Sequence, residues 1–319
     1  MMLWAPGQEL VISEIPTTLP PVGDVYVRLH SAAVNKRDYW ITRGKYPGVV
    51  YPLILGSDGA GMLNDREVII NPGVNWGNEQ NRFGPGFKII GSPDHGTFAH
   101  LVKAPEENLY DKPAHLNWNE AAALPVAGVT AYRALFTRGQ AKPGEKVLIT
   151  GIGGGVATMA LVFAKAAGLE VWTTSSSNEK ISRAIDYGAK GGSNYTQANW
   201  EKDLGEKVND KFDLVIDGAG SAEFSKLVGM MNPGGRMVIY GGTAGVINDL
   251  SPQRIFWKQL DILGTSMGSP SDFKNMIDFV NLHKVKPIIS HTFPLEKVNE
   301  AIELVGRNEQ FGKICIEIS

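Results

Sequence analysis

The chain has 319 residues and a mass of 34.6 kDa, which is enough for two domains with separate cores. Hydrophobic residues make up 43% and charged residues 20%, as in ordinary globular proteins. The net charge of −2 and the pI near 6.3 give no electrostatic attraction for nucleic acid or for an anionic membrane, so neither is expected as a partner.

One cysteine, Cys315, excludes an internal disulfide framework and leaves too few thiolates for most structural zinc sites. Residues 1–6 lack the basic and apolar pattern of a signal peptide, so a cytoplasmic protein is expected. Residues 147–164 carry no charge, but the glycines of residues 151–155 predict a strand, a loop and a helix there rather than a membrane span.

The first part of the chain, to residue 116, predicts short strands and turns. Residues 25–29 alternate in the manner of a strand, and residues 67–70 form another apolar segment. Residues 71–87 are polar, aromatic and rich in turn formers, which predicts a surface loop.

From residue 117 onward the pattern changes to alternating strands and helices. Asn119 is predicted to cap an alanine-rich helix that runs to residue 138, with a break at Pro125. The segments that follow are predicted as strands at 146–150, 170–174, 213–216, 236–240, 261–264 and 312–318, and as helices at 156–167, 178–187, 222–231, 272–282 and 295–305. This alternation predicts an α/β fold with a doubly wound parallel sheet.

The strongest local motif is a glycine loop between a buried strand and a helix. It reads Gly151-Ile-Gly153-Gly154-Gly155-Val156-Ala157, a relative of the dinucleotide fingerprint that ends in a small residue. Glycines permit the turn and let main-chain N–H groups approach a pyrophosphate. We therefore predict that Gly151, Gly153, Gly154, Gly155 and Val156 bind a dinucleotide.

The end of the next strand indicates which dinucleotide binds. Many NAD sites have an acid there, but this chain has Ser175 and Ser176, with Lys180 following. Hydroxyl and ammonium groups can donate to a 2′-phosphate, so the sequence predicts NADPH. The alternative is that the serines and Asn178 cap the next helix, and both can hold at once.

Several motifs in order resemble the medium-chain dehydrogenase/reductase superfamily, especially its zinc-free quinone oxidoreductase-like branch. They are Ala33-Val-Asn35-Lys-Arg-Asp38, Leu55-Gly-Ser-Asp-Gly-Ala-Gly61, Gly96-Thr-Phe-Ala99, Ala121-Ala-Ala-Leu-Pro125, Gly128-Val-Thr-Ala-Tyr132, the glycine loop, Asn232-Pro-Gly-Gly235 and Phe311-Gly-Lys-Ile314. The resemblance implies a mainly β, GroES-like catalytic domain over 1–118, a Rossmann NADPH-binding domain over 119–266, and a segment over 267–319 that returns to the catalytic domain. It also implies a substrate cleft between the domains and a homodimer formed through the cofactor domain.

The resemblance also implies roles for individual residues. Asn35 and Thr130 match residues beside the cofactor, and Tyr46 matches a tyrosine of the quinone pocket. The residues that match contacts to the 2′-phosphate, or small positions beside the cofactor, are Ser175, Lys180, Tyr195, Gly241 and Gly242. The chain departs from the family pattern at residues 62–66, where a strand and loop are shortened.

The zinc sites of related alcohol dehydrogenases are not expected here. Asn35 stands where those enzymes have a cysteine, and Ser57 and Asp58 replace His-Glu. The two carboxylates of Asp38 and Asp58, without a soft ligand, make a poor zinc site, and no metal role is assigned to His95 or His100. Pairing of Arg37 with Asp38 is expected to be structural.

These observations predict a zinc-independent reductase that transfers hydride from NADPH to a quinone or an α,β-unsaturated carbonyl, because such acceptors need no Lewis acid. Asn35 is predicted to donate to the carbonyl oxygen. For Tyr46, hydrogen-bond or proton donation and simple packing are both open. The alternatives are a non-catalytic NADPH sensor and an alcohol dehydrogenase-like enzyme with an unrecognised metal.

Overall fold

The structure is a computed structural model, and it describes residues 1–220 and 223–318. The chain divides into two compact units. The first consists of Met1–Val129 and Gly268–Ser319, and the second of Thr130–Met267. The domain boundaries predicted after residues 118 and 266 remain predictions.

The elements before the second unit are short strands with few helices: β1 (Met2–Leu3), β2 (Asp24–Val34), α1 (Lys36–Thr42), β3 (Leu53–Ile54), β4 (Asp58–Leu63), β5 (Arg66–Ile70), β6 (Gly73–Val74), β7 (Lys88–Ile89), β8 (Leu101–Pro105), β9 (Leu109–Asp111), α2 (Trp118–Ala122) and α3 (Pro125–Tyr132). The following elements alternate: β10 (Lys146–Ile149), α4 (Gly155–Ala166), β11 (Glu170–Ser175), α5 (Asn178–Asp186), β12 (Gly191–Asn194), α6 (Trp200–Val208), β13 (Phe212–Asp217), α7 (Phe224–Gly229), β14 (Met231–Ile239), α8 (Pro252–Phe256) and β15 (Asp261–Gly264). The last elements belong to the first unit: α9 (Pro270–His283), β16 (Ile289–Pro294), α10 (Val298–Arg307) and β17 (Lys313–Glu317).

The first unit is built on a sheet of seven strands in the order β16-β17-β2-β4-β5-β9, with β8 also paired to β2. Only the β16–β17 pair is parallel among these pairings. The core beneath it includes the fully buried Val27, Leu55, Val68 and Phe98, and residues of α10 pack on the same cluster. The late strand β17 therefore lies inside the sheet, next to β2.

The second unit has six parallel strands in the order β12-β11-β10-β13-β14-β15. Numbered within the unit this is 3-2-1-4-5-6, the order of a dinucleotide-binding Rossmann fold. Val147, Leu148 and Ile149 of β10 are fully buried, as expected for a strand covered on both faces by helices. The carboxyl ends of β10, β13 and β14 lie side by side at one edge of the sheet.

Several predicted boundaries differ from the structure. The cap of α2 is Asn117 instead of Asn119, because Asn117 Oδ1 accepts from Glu120 N while the Glu120 carboxylate accepts from Asn117 N. The helix predicted over 222–231 is shorter, since β14 already begins at Met231; position 222 lies outside the described residues. The break at Pro125 is confirmed by the start of α3.

The uncharged run at 147–164 is divided among β10, the glycine loop and α4, as predicted. Among the helices of the described residues, none has both the length and the apolar character that spanning a bilayer requires.

Candidate functional site

One candidate site lies where three neighbouring strands of the first unit meet. Asn35 directly follows β2, Asp58 begins β4, and Lys313 begins β17. Ala33 pairs with Asp58, and Val34 pairs with Ile314, so the register of the two ladders brings the three side chains together. The sequence separates Asp58 from Lys313 by 255 positions.

These three side chains form a hydrogen-bonded cluster, in which Lys313 and Asp58 are buried and Asn35 is half-buried. Lys313 Nζ donates to Asn35 Oδ1 at 2.7 Å, to Asp58 Oδ2 at 2.8 Å and to the Val34 carbonyl at 2.9 Å. Asn35 Nδ2 donates to the same Asp58 oxygen at 2.9 Å, and Val126 N donates to Asp58 Oδ1 at 2.7 Å. The side chains of Lys313 and Asp58 are 3% and 0% exposed. An ammonium has three donors, and all three are used here.

Arg37, Asp38 and Tyr46 extend this cluster within the first unit. Asp38 Oδ2 accepts from Asn35 N at 2.8 Å, while Asp38 Oδ1 is buried without a partner. Burial raises the pKa of Asp38 to about 6, although the neighbouring Arg37 opposes the shift. The Arg37 guanidinium donates to Ser57 Oγ and to a backbone carbonyl rather than to the Asp38 carboxylate, so the expected Arg37–Asp38 hydrogen bond is not the contact made.

Tyr46 lies against the Arg37 guanidinium, with 5.0 Å between Arg37 Cζ and the centre of the ring. A cation over an aromatic face is a stabilising arrangement. Its ring also packs against the core of the first unit. Contacts connect Tyr46 to Asn35 in steps: Tyr46 contacts Arg37, Arg37 donates to Ser57, and the next residue, Asp58, accepts from Asn35. The contacts made by the Tyr46 ring are packing contacts, one of the two roles that the sequence left open.

The polar cluster does not fit a zinc ion. Asn35, Ser57 and Asp58 supply an amide, a hydroxyl and a carboxylate, without the thiolate or imidazole ligands that zinc prefers. The Asp58 carboxylate is also already paired with the buried ammonium of Lys313. Across residues 1–220 and 223–318, no three His, Cys, Asp or Glu side chains are grouped so that they could hold a metal ion. His95 Nδ1 accepts from Ile54 N, and burial lowers the pKa of this imidazole.

The candidate site of the second unit is its glycine loop. Gly151 and Gly153 have φ values of 62° and 122°, and the second of these is a conformation that side chains with a Cβ rarely adopt. Gly154 precedes the first residue of α4, and no side chain caps this helix. The N–H groups of Gly155 and Val156 therefore begin a 12-residue helix and are available to an anion.

The ends of neighbouring strands support this loop. Thr150 Oγ1 donates to Asp217 Oδ1 at 2.6 Å, and Gly220 N donates to Asp217 Oδ2 at 2.9 Å. Beyond β14, a Cβ added at Gly241 would stand 2.8 Å from the Gly218 carbonyl oxygen, so a larger residue would push the two segments apart. A Cβ added at the next residue, Gly242, would stand 4.0 Å from the Gly245 carbonyl oxygen, an ordinary contact distance. The sequence does not identify Thr150 and Asp217 as site residues, although Thr150 directly follows the buried strand β10 and Asp217 ends the buried strand β13.

The end of β11 carries the predicted contacts to the 2′-phosphate. Ser175 is buried, where its hydroxyl donates to the Ile152 carbonyl and accepts from Ser177 N. Ser176 is exposed, and Ser177 caps α5 by accepting from Lys180 N at 3.3 Å. The capping alternative therefore holds for Ser177, whereas Ser176 keeps an accessible hydroxyl.

The structure brings Tyr195 to the same corner, because its N–H donates to the Ser175 carbonyl at 3.0 Å. Lys180 lies in the first turn of α5. Thr130 lies in α3, where it is buried.

Comparison with known proteins decides the family. Residues 21–114 match the alcohol dehydrogenase GroES-like domain, and residues 155–281 match the zinc-binding dehydrogenase family. The chain is 35% identical to a zinc-type alcohol dehydrogenase-like protein of Leptosphaeria maculans, over 97% of this chain and 94% of that protein. The chain belongs to the medium-chain dehydrogenase/reductase superfamily. It is also 28% identical to the quinone oxidoreductase of Mus musculus, over 95% of this chain and 92% of the relative.

Solved structures of this superfamily have the same fold. A structure of an NAD-dependent alcohol dehydrogenase superposes with a TM-score of 0.90 at 32% identity, covering 96% of this chain and 95% of the other. The quinone oxidoreductase of Thermus thermophilus, solved also as its complex with NADPH, gives a TM-score of 0.83 at 25% identity, with 99% of each chain covered. The chain is therefore an oxidoreductase of the quinone oxidoreductase-like branch, with the predicted GroES-like and Rossmann fold.

Proposed function

We propose that this chain is a zinc-independent reductase that uses NADPH to reduce a quinone or an α,β-unsaturated carbonyl. The proposal depends above all on the Asn35–Asp58–Lys313 cluster, because a buried ammonium occupies the carboxylate that would otherwise be offered to a metal ion. The names of relatives include both zinc-type and quinone enzymes, so family membership alone does not decide the matter.

The choice of NADPH rests on the residues after β11. Ser176 is exposed and Lys180 lies in the first turn of α5. The residues from Ser175, which ends β11, to Ser177 carry hydroxyls and no acid. An acid there would repel a 2′-phosphate, whereas hydroxyl and ammonium groups can donate to it. Gly151 and Gly153, with the uncapped start of α4, suit the pyrophosphate.

The proposed acceptor class follows from the proposal that the site holds no Lewis acid. When bound, the reduced nicotinamide supplies the hydride. Reduction of a simple ketone would concentrate negative charge on one oxygen. In metal-dependent relatives zinc stabilises this charge by roughly several kcal/mol. A quinone or enone spreads that charge, so an uncharged donor suffices. We propose that Asn35 supplies this donor through its amide N–H, and that Tyr46 shapes the pocket.

The proposed function is tested by titrating purified protein with NADPH and NADH, and by following NADPH oxidation with quinones, enones and simple alcohols. We expect NADPH to bind at least about tenfold more tightly than NADH, a difference of about 1.4 kcal/mol. Turnover is expected with conjugated acceptors and is expected to survive removal of metals by a chelator. Tight binding without any turnover would favour the sensor, and stoichiometric zinc together with chelator sensitivity would favour the metal enzyme.

The cofactor assignment has its own variant. In Ser176→Asp an acid replaces the exposed hydroxyl, and we expect affinity for NADPH to fall about tenfold or more while affinity for NADH changes little. Ser182→Asp is the matched control, since it adds the same charge at an exposed position of α5. Equal losses in the two variants would contradict a contact between Ser176 and the 2′-phosphate.

We further propose that the enzyme is a homodimer formed through the second unit. The edge strand β15 has a neighbour on one side only, and Trp257, which precedes it, is 78% exposed. Edge strands present unpaired backbone groups that can pair with another chain. Light scattering should give twice the 34.6 kDa of one chain. A monomer at micromolar concentration would overturn this assignment.

A cytoplasmic location is also proposed. The single cysteine, Cys315, is buried and unpaired, so the fold needs no oxidising compartment. Cell fractionation tests it, and recovery of the protein outside the cytoplasmic fraction would contradict it.

A further inference from the structure

The side-chain amide of an asparagine has an oxygen that accepts and a nitrogen that donates, and the two ends are similar in size. Asn35 is placed between two charged groups that treat these ends differently. Lys313 Nζ faces Asn35 Oδ1 at 2.7 Å, and Asp58 Oδ2 faces Asn35 Nδ2 at 2.9 Å.

These charges permit only one orientation of the amide. An ammonium can only donate and a carboxylate can only accept, so turning the Asn35 amide over would set donor against donor and acceptor against acceptor. The site is buried around Lys313 and Asp58, where such mismatches are costly. One Asn35 Nδ2 hydrogen is bonded to Asp58, and the second has no partner among the described residues.

We propose that Lys313 is a positioning residue, which fixes the Asn35 amide so that its second N–H, rather than its oxygen, is offered to the carbonyl oxygen of the acceptor. This inference rests on the proposed function for the identity of the acceptor. Lys313 itself does not touch the substrate. A reversed amide would present an oxygen to the carbonyl and would give no stabilisation of the developing negative charge.

The contacts of Lys313 agree with this role. Its three donors go to Asn35, to Asp58 and to the carbonyl of Val34, the residue directly before Asn35. Burying a charged pair gives little net stability compared with apolar residues of similar size, so stability alone is a weak reason for an ion pair at this position. The pair does, however, determine which way the amide faces.

The first test measures the amide directly and needs no substrate. In NMR spectra of the protein, the side-chain NH2 signals of Asn35 are assigned by their loss in Asn35→Asp. We expect slow hydrogen exchange at the proton bonded to Asp58, and exchange about tenfold faster in Lys313→Met, which corresponds to about 1.4 kcal/mol. Lys313→Arg keeps the positive charge and should keep most of the protection.

The second test asks whether Lys313 acts through Asn35. We expect Lys313→Met to lower kcat by about tenfold to a hundredfold with a smaller change in KM. We expect the same effect on kcat and KM in Asn35→Ala. In the Asn35→Ala background, Lys313→Met should then cost little more, because the group it positions is gone. The affinity of Lys313→Met for NADPH should stay within about twofold of that of the wild type.

Lys112→Met is the matched control. Lys112 is another buried lysine of the first unit, paired with Glu67 at 3.0 Å and bonded to the Leu116 carbonyl. We expect it to lower stability without lowering kcat, and without changing the Asn35 amide signals. Lys313→Met leaves the buried Asp58 carboxylate without an opposite charge, which can prevent folding. If Lys313→Met does not fold, the double variant Asp58→Asn/Lys313→Met takes its place in both tests.

The two proposals fail in different ways. Unchanged exchange of the Asn35 amide in Lys313→Met, or fully additive losses of kcat with Asn35→Ala, would overturn the positioning role. A wild-type enzyme that reduces none of the acceptors would overturn the proposed function, and the exchange measurement would still decide how the amide is held.

Discussion

Thr150 Oγ1 donates a hydrogen bond of 2.6 Å to Asp217 Oδ1, which joins the ends of two neighbouring parallel strands. Asp217 is fully buried, and its other oxygen accepts from Gly220 N. The glycine loop begins at the residue after Thr150, so this bond fixes the start of the loop relative to the turn beyond β13. The bond connects the sheet to the proposed cradle for the pyrophosphate.

We expect Thr150→Val to lower the free energy of unfolding by about 1–3 kcal/mol, because it removes a buried bond to an ionised carboxylate. Affinity for NADPH should fall with it. Thr173→Val is the matched control on the adjacent strand, since Thr173 Oγ1 is buried without a partner and its loss should cost little. Urea denaturation and NADPH titration measure both effects. Equal destabilisation of the two variants would contradict the role of the Thr150–Asp217 bond.

The loop over 71–87 is held by an aromatic cluster. Trp76 is 3% exposed, and its ring lies 5.3 Å from that of Phe87 and 5.8 Å from that of Phe83. We expect Trp76→Ala to cost about 3–5 kcal/mol in urea denaturation. Trp4→Ala, at a tryptophan of the same unit that is 53% exposed, should cost less than about 1 kcal/mol. A small loss at Trp76 would mean that this loop contributes little to the fold.

Asp38 should make stability depend on pH. Burial raises its pKa to about 6 in the folded protein, above its value in the unfolded chain, so folding favours the protonated form. Its stabilising contribution is complete below about pH 4 and is lost as the pH rises through about 6. In Asp38→Asn this contribution does not change with pH, so between pH 4.5 and 7.5 the stability of the variant should rise relative to that of the wild type by about 2 kcal/mol. Parallel pH profiles of the two proteins would show that Asp38 does not titrate in this range.

Cys315 should be unreactive in the folded protein. It is fully buried in β17, its thiol donates to the Asn119 carbonyl, and burial raises its pKa to about 12. We expect a thiol reagent to label the chain only after denaturant has unfolded the first unit. Labelling of native protein within minutes at neutral pH would contradict this placement.

Much of the fold could be predicted from the sequence because the second unit repeats a local pattern. Buried strands such as β10 and β13 stand out as short apolar runs, and the alternation of strands with amphipathic helices indicates the parallel arrangement. The elements that were not predicted lack this signal. β12 reads Gly191-Gly-Ser-Asn194, which has low strand propensity, and its pairing with β11 alone makes it a strand. β16 and α6 were missed as well.

The site could be predicted only in part. The glycine loop and Asn35 lie in local motifs, so the sequence was enough to propose them. Lys313 lies in a motif, but the sequence gives it no role, because its partner Asp58 is 255 positions away and only the pairing of β2 with both β17 and β4 brings the two together. The hydrogen bonds that the Ser175 hydroxyl makes to the Ile152 carbonyl and to Ser177 N also depend on the fold, so the sequence alone does not predict them.

The position of β17 has a consequence for how the protein acquires its structure. β2 ends at Val34, and its neighbour β17 begins only at Lys313, so the central pairing of the first sheet closes a loop of almost the whole chain. Contacts between such distant segments slow folding, since the chain must search a large volume before they form. On the ribosome the second unit can therefore mature while the earlier strands of the first still wait for their partner, and chaperone dependence should be concentrated in the N-terminal segment.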